Sequence, residues 1–346
     1  MILAGDVGGT KTNVGFFEVE GEGRALRVKP LVEQTYHSRE HASLDELALA
    51  FVRAHDLRPS VACFGIAGPV QHGRSHTTNL PWIVDSKQLA AELSVTTALV
   101  INDLEANAFG IAELGPTDFA LLNPGAAAAE GNAAVIAAGT GLGEAGMFWD
   151  GETHRPFACE GGHADFAPRN QLETELLAFL LAEFGHASWE RVLSGPGLYN
   201  VYRFFVRAKP GEESPEVARQ ITAGDPAAVI SLAAQARRCP ACVAAVDLFL
   251  SLYGAEAGNL ALKIMAVGGL YVGGGIAPKM LAALKTSDFL RSFSAKGRLK
   301  STLDDIPVRV ILSEKAALLG AARCAALSVR HDASPVTAGP SHTARG

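Results

Sequence analysis

Three strands of this chain run into glycine-rich turns, and the residues around them could hold phosphate. The first turn is Gly5-Asp6-Val7-Gly8-Gly9-Thr10-Lys11. Gly8 and Gly9 let backbone N–H groups approach phosphate oxygens with no Cβ in the way. Thr10 adds a hydroxyl, and Asp6 a carboxylate suited to a water of a hydrated Mg²⁺. Taken alone, the same turn could be a plain glycine hairpin capped by Asp6. The second turn is Gly139-Thr140-Gly141-Leu142-Gly143 and the third Gly273-Gly274-Gly275. Any one could simply be a turn; three in one chain favour a phosphate clasp.

Acids, amides and one histidine accompany these turns. Asn102-Asp103 stands at a strand end, where a carboxylate ionised at neutral pH can take a proton from a hydroxyl. Asn102 can donate or accept a hydrogen bond. The pair also suits an N-cap for a helix over 104–111, and both roles can coexist. Glu160 and His163 bracket two glycines, as a ligand loop or as surface polar residues would. Glu190 fits either a ligand contact or the macrodipole of a first helical turn. Asn79, before Leu80-Pro81-Trp82, suits a ligand contact or turn chemistry.

Two familiar motifs fail. Lys11-Thr12 lacks the preceding glycine of a P-loop, since Thr10 stands there. Gly141, Gly143 and Gly146 match a dinucleotide fingerprint by letters, but the third glycine leads into a strand and the Asp150-Gly151 hairpin rather than a helix. Cys239 and Cys242 have redox or zinc spacing, yet they open a long helical pattern with no further ligands nearby.

The elements that position these residues alternate strand and helix. Strands are expected at Ile2–Val7, 13–19, 26–32, Val61–Ile66 and 98–101. Ser43-Leu44-Asp45-Glu46 has capping-box spacing for a helix to about His55, and Asp85-Ser86 starts a short one to Leu93. Ala133–Ala138 repeats the opening theme, with a partner strand at 147–149. From 171 to about 266 the pattern is helical, broken at Gly195-Pro196-Gly197 and Pro210-Gly211. A strand at 270–272, one at 308–312 and a helix over 314–327 follow. The order implies an α/β protein with mixed sheets whose ligands gather at strand carboxyl ends.

At 346 residues, with 48% hydrophobic side chains, the chain suits two domains. A net charge of −6 offers no footprint for nucleic acid or an anionic membrane. The start Met1-Ile2-Leu3-Ala4 lacks a basic n-region, so no signal peptide is expected. Lys263, Glu256 and Glu144 interrupt the long apolar stretches, so no membrane span is expected either. Five scattered cysteines suit a reducing cytoplasm.

The motifs taken together resemble the bacterial glucokinase family. The phosphate turn, Ile101-Asn102-Asp103, Gly139-Thr140-Gly141-Leu142-Gly143, Glu160-Gly161-Gly162-His163, Glu190-Arg191-Val192-Leu193-Ser194-Gly195 and Gly273-Gly274-Gly275-Ile276 stand in the family's order. Ala295-Lys296-Gly297-Arg298 ahead of Asp305-Ile306-Pro307-Val308 also looks like this family. The likeness covers about residues 2–327.

It implies a two-domain actin-like ATPase fold (hexokinase-type, ribonuclease-H-like) with an interdomain active-site cleft. The small domain would be 1–113 plus 314–327, the large one 114–313, and 328–346 a disordered tail. It also implies ATP and Mg²⁺, glucose as acceptor, glucose 6-phosphate as product, and a cytoplasmic homodimer. Asp103 would be the base. Asn79, Asn102, Glu160, His163 and Glu190 would hold the sugar. The 5–11 turn with Gly139, Thr140 and Gly141 would hold the phosphates, and Gly274 the adenine. In the related ROK sugar kinases a corresponding histidine joins a cysteine cluster around zinc. Here no cysteine follows His163 before Cys239, so a zinc site is not expected. Rival readings are another hexose or amino-sugar kinase, a sugar-sensing regulator of the same fold, and a non-sugar ATPase.

Overall fold

A computed structural model describes residues 1–77, 79–208 and 212–331. The chain divides into two compact units, Met1–Glu113 with the segment from Lys315 onward, and Leu114–Glu314.

The first unit is built on β1 (Ile2–Val7), β2 (Lys11–Glu20), β3 (Arg27–His37) and β4 (Val61–Ile66). Three short strands follow, β5 (Val70–Gln71), β6 (Arg74–His76) and β7 (Ile83–Asp85), and then β8 (Thr97–Asn102). The main sheet has the order β3-β2-β1-β4-β8, and β5-β6-β7 form a small sheet of their own. Strand β1 pairs antiparallel with β2 but parallel with β4, and β4 runs parallel to β8. Such parallel strands are covered on both faces, which is why β4 is buried at all six positions.

Two of the expected strands are longer than their patterns suggested. β2 begins at Lys11 and β3 reaches His37, because the hairpin register continues from Phe16 to Lys11 although one face of β3 is polar. The helix Leu44–Ala54 starts as the capping pattern predicts, with the Ser43 hydroxyl accepting Glu46 N–H at 3.1 Å. The small sheet had no legible signal, since its strands are only two or three residues long.

The helix Asp103–Gly110 crosses the C-terminal helix Ala316–His331 at close range. A Cβ on Gly110 would stand 1.9 Å from the Ala316 carbonyl oxygen, and one on Gly320 1.8 Å from that of Ala106. Small residues therefore let the two backbones touch, and the crossing fixes the helix that carries Asp103. Glu113 and Arg323 form a buried ion pair beside it. Glu113 also accepts Val28 N–H at 3.0 Å, and Arg323 donates to the Leu26 carbonyl at 2.9 Å. The C-terminal helix runs four residues past the expected end, so Ser328 to His331 are helical rather than tail. The remainder of the expected tail, 332–346, lies outside the described residues.

The second unit holds β9 (Phe119–Asn123), β10 (Ala133–Ala138), β11 (Leu142–Trp149), β12 (His154–Cys159), β13 (Gly269–Gly273) and β14 (Val308–Ile311). The order is β12-β11-β10-β13-β14-β9. Its first five strands repeat the plan of the first unit, an antiparallel trio leading into parallel neighbours. β11 starts at Leu142, five residues before the expected 147. Alanines and glycines hide its period, and pairing to β10 and β12 on either side decides the conformation. β12 carries Pro156 and is an edge strand, where a missing N–H is tolerated.

Among the described residues, five α-helices fill the stretch expected to be helical: Gln171–Phe184, Gly195–Ala208, Pro215–Ala223, Pro226–Gln235 and Pro240–Ile264. The break at Gly195 is a helix start, and the one at Pro210-Gly211 lies outside the described residues. Among the described residues Pro240–Ile264 is long and apolar enough to cross a membrane by length and composition, although Asp247, Glu256 and Lys263 interrupt it. Its most apolar window is 78% buried within the fold, which accounts for its composition. From this helix the Tyr253 hydroxyl accepts Ala138 N–H at 3.2 Å and lies 3.4 Å from the Ile136 carbonyl. One buried phenol thus pins the end of β10, where the second glycine turn begins.

Candidate active site

In the first unit the candidate residues collect at one edge of the sheet. Val7 pairs with Ile66, and Ile66 pairs with Asn102. The glycine turn after β1 and the Asn102-Asp103 pair at the end of β8 therefore leave the same edge, two strands apart, or about 10 Å. The turn is closed by Gly8 N–H donating to the Lys11 carbonyl at 3.0 Å. Thr10 and Lys11 are exposed, and Gly8 and Gly9 half-buried. Asn79 packs over Gly9, where a Cβ would stand 2.5 Å from that of Asn79. Gly5 and Val7 lie within β1, and the missing Cβ of Gly5 makes room for the Phe64 ring.

Ser38 holds the turn from below, and sequence reasoning missed it. Its hydroxyl donates to the Gly8 carbonyl at 2.7 Å and is 2.9 Å from the Thr12 hydroxyl, while its N–H donates to the Thr10 carbonyl at 3.0 Å. No local pattern could have shown this, because Ser38 lies thirty residues from Gly8.

Asp6 sits half-buried on β1, with Asn13 donating to its carboxylate at a long 3.5 Å. Burial pushes its carboxyl above the usual range, and the Asn13 bond only partly offsets this. Asn102 caps the helix Asp103–Gly110, accepting Leu104 N–H at 2.8 Å and donating to the Gly68 carbonyl at 3.1 Å. Asp103 Oδ1 also accepts Leu104 N–H, at 3.0 Å. The capping reading is thus correct for Asn102, and capping leaves Asp103 half-buried at the strand edge.

The second unit gathers its candidates around β11. The Gly139–Gly141 turn is tight, with Gly139 N–H donating to the Gly141 carbonyl at 2.8 Å. Glu190 lies in a single 3-10 turn, Trp189–Arg191, rather than in the first turn of a longer helix. Its carboxylate accepts Leu142 N–H at 3.0 Å and rests against Gly141. Glu160 Oε2 stands 4.0 Å from His163 Nε2, both side chains mostly exposed. Trp189 N–H donates to the Ala164 carbonyl at 3.0 Å and Asp165 bridges Ser188, which sets the Glu160–His163 loop alongside Glu190. Thr140 is exposed at the turn. Gly274, with φ +78°, folds over β10, where a Cβ would stand 2.3 Å from the Ala138 carbonyl oxygen. Among the described residues, no three His, Cys, Asp or Glu side chains are grouped to hold a metal ion directly.

Two units of one plan, each a hairpin followed by parallel strands with a glycine turn at the edge, define an actin-like ATPase fold of the hexokinase type. A family model described as Glucokinase matches residues 3–328. Glucokinase of a Nostoc species is 41% identical over 341 residues, covering 94% of this chain and 99% of that one. The chain belongs to the glucokinase family. The crystal structure of a glucokinase from an Antarctic psychrotroph superposes with a TM-score of 0.83 at 30% identity, covering 94% and 98% of the two chains. A ROK family glucokinase from Streptomyces griseus, solved with glucose and AMPPNP, shares the fold at 22% identity and a TM-score of 0.60, with 94% and 99% covered.

Proposed function

We propose that this chain transfers the γ-phosphoryl group of ATP to the 6-hydroxyl of D-glucose, giving glucose 6-phosphate and ADP, with Asp103 as general base. The observation that carries the reading is the shared sheet edge, where β8 delivers Asp103 and β1 delivers the glycine turn. Phosphoryl transfer asks little covalent chemistry of a protein beyond positioning, charge and an acceptor for the hydroxyl proton. An aspartate beside a backbone cradle for phosphate supplies both.

In this reading Asn79, Asn102, Glu160, His163 and Glu190 bind sugar hydroxyls. Gly8, Gly9, Thr10 and Lys11 with Gly139, Thr140 and Gly141 bind phosphates. Gly274 offers a flat backbone surface to adenine. A magnesium ion, when bound, would neutralise phosphate charge. Asp6 fits the task of holding one of its waters, because burial raises its carboxyl and a nearby dication would favour the ionised form. A cytoplasmic location and a homodimer belong to the same reading, supported by the family likeness alone.

A coupled assay across hexoses and phosphate donors tests the proposal. ADP should form from ATP only with sugar present, and glucose should give the highest kcat/KM. Sugar-independent hydrolysis, or clear preference for another hexose, would overturn it.

A further inference from the structure

A buried carboxyl lies directly behind the Glu160–His163 loop. Glu144, in mid-β11, is 1% exposed; its Oε1 receives no hydrogen bond among the described residues, and its carboxyl meets that of Glu256. Its Oε2 occupies the space a side chain on Gly161 would need, 1.9 Å from where that Cβ would be. Gly162 is equally tight, with a Cβ position 2.0 Å from the Leu142 carbonyl oxygen. The loop thus rests on β11 through two glycines, and the Glu144 carboxyl is the side chain beneath the first.

We propose that Glu144 is a positioning residue for this loop, its buried carboxyl acting as a wedge under Gly161 that sets where Glu160 and His163 stand. The proposal rests on the sugar-kinase reading above.

The groups facing Glu144 make the wedge sensitive to charge. From the helix Pro240–Ile264 come Glu256, fully buried, the Tyr253 phenol, and Lys263, whose Nζ is 3.2 Å from Glu256 Oε1. Asn259 donates to the other Glu256 oxygen at 2.7 Å, and Lys296 donates to Asn259 and to the Ala255 carbonyl. Cys159 faces it from β12, and Glu160 and His163 stand on the loop itself. Burial first, and the Glu256 carboxylate second, push Glu144 up to about 8, with Lys263 opposing. Burial and the charge of Arg169 bring Lys296 down to about 8.

At neutral pH Glu144 therefore holds its proton. Rising pH adds a negative charge to the cluster while removing a positive one. A second buried negative charge beside Glu256 draws in water or moves the groups around it. The short, exposed loop over Glu144 yields more readily than the long helix on its other side.

Sugar affinity should then fall as the fraction of neutral Glu144 falls. Steady-state kinetics from pH 6 to 9.5 should show the wild-type glucose KM rising about fivefold between pH 8 and 9, with the ATP KM flat. Glu144→Gln matches the neutral acid in shape, so its glucose KM should equal the wild-type value at pH 7 and rise far less than the wild-type value to pH 9. An equal alkaline rise in both proteins, or no rise in wild type, overturns the proposal.

A second pair of variants works even if the glutamine substitution misfolds. Gly161→Ala should raise the glucose KM, and adding Glu144→Ala should restore it toward wild type by vacating the contested space. Strictly additive losses would overturn the wedge. A wild-type protein making no glucose-dependent ADP would remove the kinase reading and this proposal together. A wild-type protein that turns glucose over, with Glu144→Gln tracking its pH profile, removes this proposal alone.

Discussion

The Glu190 carboxylate accepts the backbone N–H of Leu142 at 3.0 Å, so an acid assigned to the sugar is tied to the turn assigned to the phosphates. Gly141 lies between them, and a Cβ there would stand 2.5 Å from Glu190 Oε2. Gly141→Ala must displace the carboxylate, the turn, or both. The expected outcome is a higher KM for glucose and for ATP in a folded protein. Glu190→Ala should resemble it, since a hydrogen bond to a charged acceptor is worth about 1.5–3 kcal/mol. Glu190→Gln, which can still accept the Leu142 N–H, should lose less. A wild-type glucose KM for Gly141→Ala would show that the two halves are not coupled through this contact.

Asp103→Asn separates chemistry from structure. Asparagine can still accept the Leu104 N–H that Asp103 Oδ1 accepts at 3.0 Å, so the helix start is kept. What would be lost is the proposed proton acceptor, worth about 10²–10⁴ in kcat. Calorimetry should find glucose bound with near wild-type affinity while turnover collapses. Near wild-type turnover would take the base role from Asp103.

How much of this was legible in the sequence depends on how local each feature is. Ile2–Val7, Val61–Ile66 and Ala133–Ala138 were readable as strands because short, largely apolar runs leading into glycine turns need no partner to be recognised. The Ser43 cap and the Asn102 cap were readable for the same reason, each bond spanning two or three residues. The motif residues could be named one by one. What holds them could not, because Ser38 under Gly8, Tyr253 under Ala138 and Glu144 under Gly161 are long-range meetings with no period or spacing. Edge strand β12 and the short sheet β5-β6-β7 were missed on the same grounds. β11 was half-read, its Gly143-Glu144-Ala145-Gly146 stretch having neither β-branched residues nor alternation.

The Glu113–Arg323 pair makes the C-terminal helix part of the first unit's stability. Both side chains are almost fully buried, and each also bonds the backbone near Leu26 and Val28. Removing one partner strands the other charge, a loss of about 3–5 kcal/mol. Glu113→Ala should therefore lower the urea midpoint clearly, with Glu113→Gln falling between it and wild type. If Glu113→Ala melts like wild type, the buried pair is not holding the helix.

Glu160 offers a graded test of the loop assigned to the sugar. Glu160→Gln keeps size and much hydrogen bonding but removes charge, whereas Glu160→Ala removes all three. Alanine should raise the glucose KM more than glutamine does, and the ATP KM should shift far less than the glucose KM in either variant. A surface acid with no ligand would leave both KM values alone, so an unaltered glucose titration in a folded Glu160→Ala protein takes Glu160, and with it the case for His163, out of the site.

Glu144 also leaves a signature in stability that needs no substrate. Its folded carboxyl, pushed up to about 8 by burial and Glu256, compares with an ordinary value of 4.5. Between those two values the folded chain holds a proton the unfolded chain has released. Raising pH across that window therefore favours unfolding, by up to about 1.4 kcal/mol per pH unit. Above pH 8 both states are ionised and the loss is complete; below 4.5 both are protonated and it is absent. Glutamine has no proton to lose. The melting temperature of Glu144→Gln relative to wild type should thus climb steadily from pH 5 to pH 8 and then level off. A gap that stays constant across that range in matched buffers would mean that Glu144 is not held neutral in the folded protein.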